Sequence, residues 1–190
     1  NHFALIAAVD CTGHGVPGAF MSIIGNDGLN QIVNDKKISS ASQVLTELDK
    51  RVIDILHPKG SASDVRDGMD LSFLALQFEL PLIHNIENRC IKVQFSGAKR
   101  PMLLIRKGEI REYDGDKNTI GGHSVEGKKF TNHSIDLESG DMIYLYTDGF
   151  GDQFGGGKGK KFKEKNLREI LLAIHSKPIG EQRKILYEEF

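Results

Sequence analysis

Twice in this chain an apolar, β-prone run ends on an aspartate and then a glycine-bearing turn: Val9-Asp10-Cys11-Thr12-Gly13 and Tyr146-Thr147-Asp148-Gly149. A carboxylate at the mouth of a strand is firmly held, and the glycine lets the backbone approach a ligand closely. Hard divalent cations such as Mg²⁺ and Mn²⁺ favour such oxygen donors, with waters completing the octahedron. Two aspartates from distant parts of one chain are able to share a metal pair. The plainer reading is that each opens a turn, as Asp-Gly commonly does. Asp67 and Asp70, and Asp152 one turn beyond Asp148, either add carboxylates to such a site or are solvated loop charges.

Other groups give weaker signals. Gly13-His14-Gly15 before a helix offers backbone N–H groups to a phosphate, although the chain lacks the Gly-Lys-Ser/Thr of a P-loop. Histidine is the side-chain type most used to carry protons, so His14 could serve in that way; holding the turn through its ring nitrogens is the simpler role. Cys11 directly follows an aspartate, which raises rather than lowers a thiol pKa and argues against a nucleophile. Lys158, Lys160 and Lys161 form a basic patch in a glycine-rich stretch that reads as a mobile, solvated loop. No Gly-x-Ser-x-Gly elbow is present.

The elements that must position these residues follow from periodicity. Phe3–Val9 is a continuous apolar run, consistent with a buried strand. Pro17 suits the first turn of a helix reaching about Val33, with Ala19, Phe20, Ile23, Ile24 and Leu29 at helical spacing. A second helix, capped by Ser39 or Ser40, carries the stripe Val44, Leu45, Leu48, Val52, Ile55 and Leu56, and ends at Pro58 and Gly60. From Leu71 the period becomes that of strands. Leu71–Phe78, Cys90–Phe95, Phe130–Leu137 and Met142–Thr147 are expected strands, and Lys107-Gly108 joins Met102–Ile105 to Glu109–Tyr113 in a hairpin. Residues 155–161 read as a loop, and 162–175 and 179–190 as helices. Early helices, then hairpin-linked strands, then late helices argue for an α+β fold rather than a doubly wound parallel sheet.

The whole chain sets broader bounds. Its 190 residues favour one domain, 1–190, and its net charge of −1 gives no global field for nucleic acid. No apolar run approaches the roughly 20 residues of a membrane span. The two cysteines, Cys11 and Cys90, match no zinc spacing and read as reduced thiols of a cytoplasmic protein. The chain opens at Asn1 almost inside a strand and stops at Phe190 within a helical segment, which reads as a fragment of something longer.

Taken together, the motifs resemble a known group. Asp-Cys-Thr-Gly-His-Gly-Val-Pro-Gly-Ala-Phe-Met-Ser at 10–22 resembles a metal motif of bacterial SpoIIE- and RsbU-like, type 2C serine/threonine protein phosphatases. Tyr-Thr-Asp-Gly-Phe-Gly-Asp-Gln-Phe-Gly-Gly at 146–156 resembles their later Ser/Thr-Asp-Gly motif. Gly-Met-Asp-Leu-Ser at 68–72 and Ser-Gly-Ala-Lys-Arg-Pro-Met-Leu-Leu-Ile-Arg at 96–106 are similar to the strands between.

The resemblance implies an α/β/β/α sandwich, two mainly antiparallel sheets flanked by helices. It implies two Mn²⁺ or Mg²⁺ ions in a cleft at one sheet edge, and in some relatives a third. Asp10 would bridge both ions, with the carbonyl of Cys11 and the carboxylate of Asp148 as further ligands. Asp152 would serve the third ion, joined by Asp70 or Asp67. Asp10 and Asp148 would be the catalytic residues. A water acidified by the cations would attack phosphorus in line, with no covalent enzyme intermediate. The family's Gly-Gly-Asp motif would lie before Phe3 and its closing Asp-Asp after Phe190, so two metal carboxylates would fall outside this chain.

By the same resemblance the substrate is a phosphorylated regulatory protein such as an anti-sigma-factor antagonist. An upstream sensor domain would sit in the parent chain, which could anchor it to a membrane the present domain does not touch. A homodimer stays open. A catalytically inactive, partner-binding module of the same fold is the alternative. A third reading is a dimetal phosphoesterase acting on a small molecule.

Overall fold

The computed structural model describes residues 2–57, 66–78, 91–122, 127–155 and 160–189. Four strands, β1 (His2–Cys11), β2 (Gly68–Phe78), β3 (Ile91–Ala98) and β7 (His133–Leu137), form an antiparallel sheet in the order β1-β2-β3-β7. Short β6 (Ile120–Gly121) pairs with the start of β2. A second antiparallel sheet has the order β5-β4-β8, from β4 (Met102–Arg106), β5 (Glu109–Tyr113) and β8 (Met142–Leu145). The β4–β5 hairpin turns on Lys107 and Gly108, both at positive φ (52° and 80°), the backbone that matches a right-twisted hairpin.

Strand alternation builds the layers. Met102 and Leu104 point between the sheets and meet Leu74, Val93, Phe95 and Ile135. Leu103 and Ile105 point the other way, onto Leu167 and Leu171 of α3 (Glu164–Ile174), with Leu186 of α4 (Ile179–Glu188) beside them. On the far face of the first sheet, Met69, Leu71, Phe73 and Ala75 pack against Val44, Leu45, Leu48 and Val52 of α2 (Ala41–Leu56). Each such fully buried aliphatic or aromatic side chain contributes roughly 1.5–3 kcal/mol. The order is therefore helices, sheet, sheet, helices: the expected α/β/β/α sandwich.

Several expectations are corrected. The Phe3–Val9 run is a strand but not a buried one: among the described strands β1 has only β2 as neighbour, and Phe3, Ile6 and Val9 are exposed. Helix α1 (Gly15–Asn30), which continues into a π-helical turn at Gln31–Asp35, buries Met21, Gly25 and Gly28 while Phe20 and Ile23 face out. The glycines let it approach closely: a Cβ on Gly28 would stand 2.7 Å from Leu48 and one on Gly25 3.0 Å from Met69. Phe130 is a core side chain ahead of β7, and β8 stops at Leu145. The expected loop at 155–161 is flanked by a paired ribbon, β9 (Phe154–Gly155) with β10 (Lys160–Lys161). Pro58, Gly60, Cys90 and Lys158 lie outside the described residues. Among the described residues, no helix is long and apolar enough to cross a membrane.

Candidate active site

The first sheet contributes two carboxylates. Asp10, one residue from the end of β1, stands directly opposite Asp70 of β2 in the antiparallel register. Thr12 fixes that register: its amide donates to the Gly68 carbonyl (2.9 Å) and its hydroxyl accepts from the Gly68 amide (2.8 Å). The turn after it is tight, since Gly13 lies at φ 88° and a Cβ on Gly18 would come 2.8 Å from the Gly13 carbonyl oxygen. Asp70 is held from its other side by the Thr119 hydroxyl, 2.6 Å from Oδ1.

The second sheet contributes Asp148, three residues past β8. Between the sheets runs the Lys99–Arg100 turn that links β3 to β4, and its arginine joins the three acids. Arg100 Nη2 lies 2.5 Å from Asp148 Oδ2, 3.1 Å from Asp10 Oδ2 and 3.7 Å from Asp70 Oδ2. Lys99 Nζ adds a contact of 3.4 Å to Asp70 Oδ1. The turn is rigid. Lys99 sits at φ 57°, its amide donates to Asp116 (2.7 Å), and a Cβ on Gly97 would come 2.2 Å from the Arg100 carbonyl.

Charge crowding separates the two central acids. Burial, and then the adjoining Asp148 carboxyl, push Asp10 above its ordinary pKa, against the pull of Arg100. The Arg100 guanidinium holds Asp148 below its ordinary value, outweighing burial. This is the pattern of two acids too close to ionise independently.

Asp152 belongs to the neighbouring wall. Its amide donates to the Asp148 carbonyl (2.8 Å), and its carboxylate pairs with Lys161 (3.0 Å) rather than with the Arg100 group. Lys161 also lies 5.9 Å over the Phe154 ring, so part of the basic stretch is ordered against the cleft. Arg100, Tyr146, Asp148, Asp152, Lys161 and Arg168 are among the residues that line a cleft of about 380 Å³. Cys11 turns its thiol towards the core under α1, where burial pushes its pKa up. His14 stands at the start of α1 in extended backbone with no cap bond from its ring, so the expected turn-holding role is not seen. Asp67 uses its carbonyl to accept the Gly122 amide (2.9 Å) at the foot of β6.

A second group supports the first from behind. Lys128 and Asp49 are both buried and pair at 2.9 Å. Lys128 Nζ also donates to the carbonyls of Thr119 (3.1 Å) and Gly121 (2.5 Å), and Asp49 accepts the Gly121 amide (2.8 Å). This clamp holds the segment from which Thr119 reaches Asp70.

The donor set fits a hard divalent cation in type, being carboxylate oxygens and backbone carbonyls from rigid strand ends. Among the described residues no three acidic, histidine or cysteine side chains form a ready cage, and Arg100 pairs with both Asp10 and Asp148. Sequence reasoning noted Arg100 and Lys99 as parts of a motif without assigning them to the site, and it missed Thr119, Asp49 and Lys128. Nothing in linear order places a residue 90 positions from Asp10 beside it; only the sheet-to-sheet crossing does.

Known proteins share this fold. The SiaA-PP2C domain of Pseudomonas aeruginosa superposes with a TM-score of 0.77 at 26% identity, over 97% of this chain and 67% of that one. The PP2C phosphatase domain of Bacillus subtilis SpoIIE superposes at 0.60 and 17% identity, over 99% of this chain and 52% of that structure. A serine/threonine phosphatase of S. agalactiae superposes at 0.63 and 11% identity, over 97% and 79%. No curated protein matches the sequence. The family model for Stage II sporulation protein E (SpoIIE) matches residues 2–190, so the chain belongs to the SpoIIE family and carries its PP2C-type serine/threonine phosphatase fold.

Proposed function

We propose that this domain is a metal-dependent phosphatase that removes phosphate from serine or threonine on a regulatory protein, such as an anti-sigma-factor antagonist. The observation that carries the reading is the convergence of Asp10 and Asp70 from one sheet and Asp148 from the other on Arg100, with Arg100 and Asp148 lining the cleft. Asp10, Asp148 and the Cys11 carbonyl would hold two Mn²⁺ or Mg²⁺ ions, with Asp152 and Asp70 available to a third. When bound, such ions neutralise phosphoryl oxygens and acidify a water. The chain's own contribution is positional. Thr12 and Thr119 keep the acids aligned, and Lys99 and Lys161 give the cleft rim positive charge for a phosphate ester. The domain works in the cytoplasm, joined to a sensor domain in a longer chain.

The test is manganese calorimetry together with phosphopeptide hydrolysis on the full-length chain. Asp10→Asn and Asp148→Asn each abolish Mn²⁺-dependent turnover, by at least about 10³-fold, with the melting temperature retained. Turnover near wild type in either variant removes that residue from the mechanism. The position of Arg100 amid the acids favours one second reading, an inactive partner-binding module. A full-length wild type that takes up no Mn²⁺ would support that reading.

A further inference from the structure

Arg100 is the cation this site already possesses. Its Nη2 reaches all three acids, and its side chain is only 16% exposed. Yet the placement is incomplete: Arg100 Nε is buried without a hydrogen-bond partner. Nε and Nη2 form one edge of the guanidinium fork, the edge that grips an oxyanion with two parallel bonds. Here one half of that edge is spent on carboxylates and the other on nothing. A buried donor left unmade disfavours the arrangement relative to one in which both are used.

The backbone beneath is fixed by Gly97, Gly115 and the Lys99–Asp116 bond, so any movement is confined to the side chain. That side chain opens onto the cleft containing Lys99, Lys161 and Arg168. A divalent cation and a guanidinium cannot both occupy the gap between Asp10 and Asp148, and the cation is the denser charge.

We propose that Arg100 is the phosphoryl-binding side chain of this site, held as counter-ion to its own carboxylates until a divalent cation displaces it into the cleft. The inference rests on the metal-dependent reading above. Before loading, the arginine keeps three mutually repelling acids together. After loading, the same guanidinium presents both N–H groups to the phosphoryl oxygens, and Nε gains the partner it lacks. Cation binding and phosphate binding are thereby linked: each favours the released arginine.

The test uses the full-length chain and two probes, Mn²⁺ by calorimetry and inorganic phosphate as a competitor. In R100Q the Mn²⁺ dissociation constant falls by about tenfold or more, because a competing and repelling charge is gone. The same variant binds phosphate at least about tenfold more weakly in saturating Mn²⁺, and KM for a phosphopeptide rises more than kcat falls. Unchanged Mn²⁺ affinity, or weakened affinity, overturns the displacement. Unchanged phosphate affinity overturns the recognition role. R100K, which keeps charge but not the fork, holds Mn²⁺ affinity near wild type while losing phosphate affinity, and it serves if R100Q does not fold. D10N is the control that separates the two readings: if it binds Mn²⁺ normally, the metal site itself is wrong, whereas lost binding in D10N with unchanged R100Q defeats only the arginine proposal.

Discussion

Replacing Lys128 by methionine tests the claim that a buried clamp, remote in sequence from the acids, holds the site in shape. The Lys128 and Asp49 side chains are 5% and 8% exposed. Lys128→Met keeps the length of the stem but removes the ammonium. Asp49 then retains the Gly121 amide but loses its counter-charge, and the Thr119 and Gly121 carbonyls lose their donor. Uncoupling one member of a buried ion pair costs about 3–5 kcal/mol. At roughly 2–4 °C per kcal/mol for a chain of this size, the melting temperature falls by roughly 6–20 °C. Thermal unfolding followed by circular dichroism at pH 7 reads this directly. The double variant Asp49→Leu/Lys128→Met recovers most of the loss, since an apolar pair has no stranded charge. Thr119 loosens with the clamp, so on the metal-dependent reading proposed above the single variant would also bind Mn²⁺ less tightly. A K128M protein melting within about 2 °C of wild type refutes the clamp, because a shift that small is under 1 kcal/mol.

Two further expectations concern acid stability and a single turn. Burial pushes the Asp141 carboxyl up, but hydrogen bonds from Arg106 (2.9 and 2.6 Å) and the Glu138 amide outweigh it and hold the group below its ordinary value. A depressed folded-state pKa stabilises the fold above the unfolded value of about 3.9, and that contribution is lost as pH falls through the lower folded value. D141N is therefore less stable at pH 7 and loses less on acidification below about pH 4, as melting temperature against pH will show. Gly121 lies at φ 72°, and a Cβ there would stand 2.6 Å from Val52. G121A costs roughly 2–5 kcal/mol in urea unfolding, combining backbone strain with overpacking. G108A, also at positive φ but with open space around it, costs only the strain, about 1–2 kcal/mol. Equal losses at the two glycines would remove the packing argument.

Much of this architecture was legible from residue order because its signals are local. A strand's alternation and a helix's stripe are properties of neighbours along the chain, so α2, β2 and the β4–β5 hairpin follow from their own residues. The strand-end aspartates announced themselves in the same way, through an apolar run breaking on a carboxylate and a glycine. Burial is a different kind of quantity. The run Phe3–Val9 is as apolar as a core strand, yet among the described strands β1 has β2 alone beside it and its Phe3, Ile6 and Val9 are exposed, since burial depends on what lies alongside. In α1 the inward face combines Met21, Ile24 and Leu29 with Gly25 and Gly28 while Phe20 and Ile23 face out, so hydrophobic spacing alone does not pick the buried side.

Residue types and spacing alone determined that this chain forms mixed helices and hairpin-linked strands, and that Asp10 and Asp148 end two of its β-prone runs. Only the tertiary structure decided that they meet, that Asp70 rather than Asp67 joins them, and that Arg100 stands among all three. The reason is that strand register and the crossing from one sheet to the other are set by packing between distant segments. Carboxylates up to 138 positions apart become neighbours through contacts that no local stretch of sequence contains.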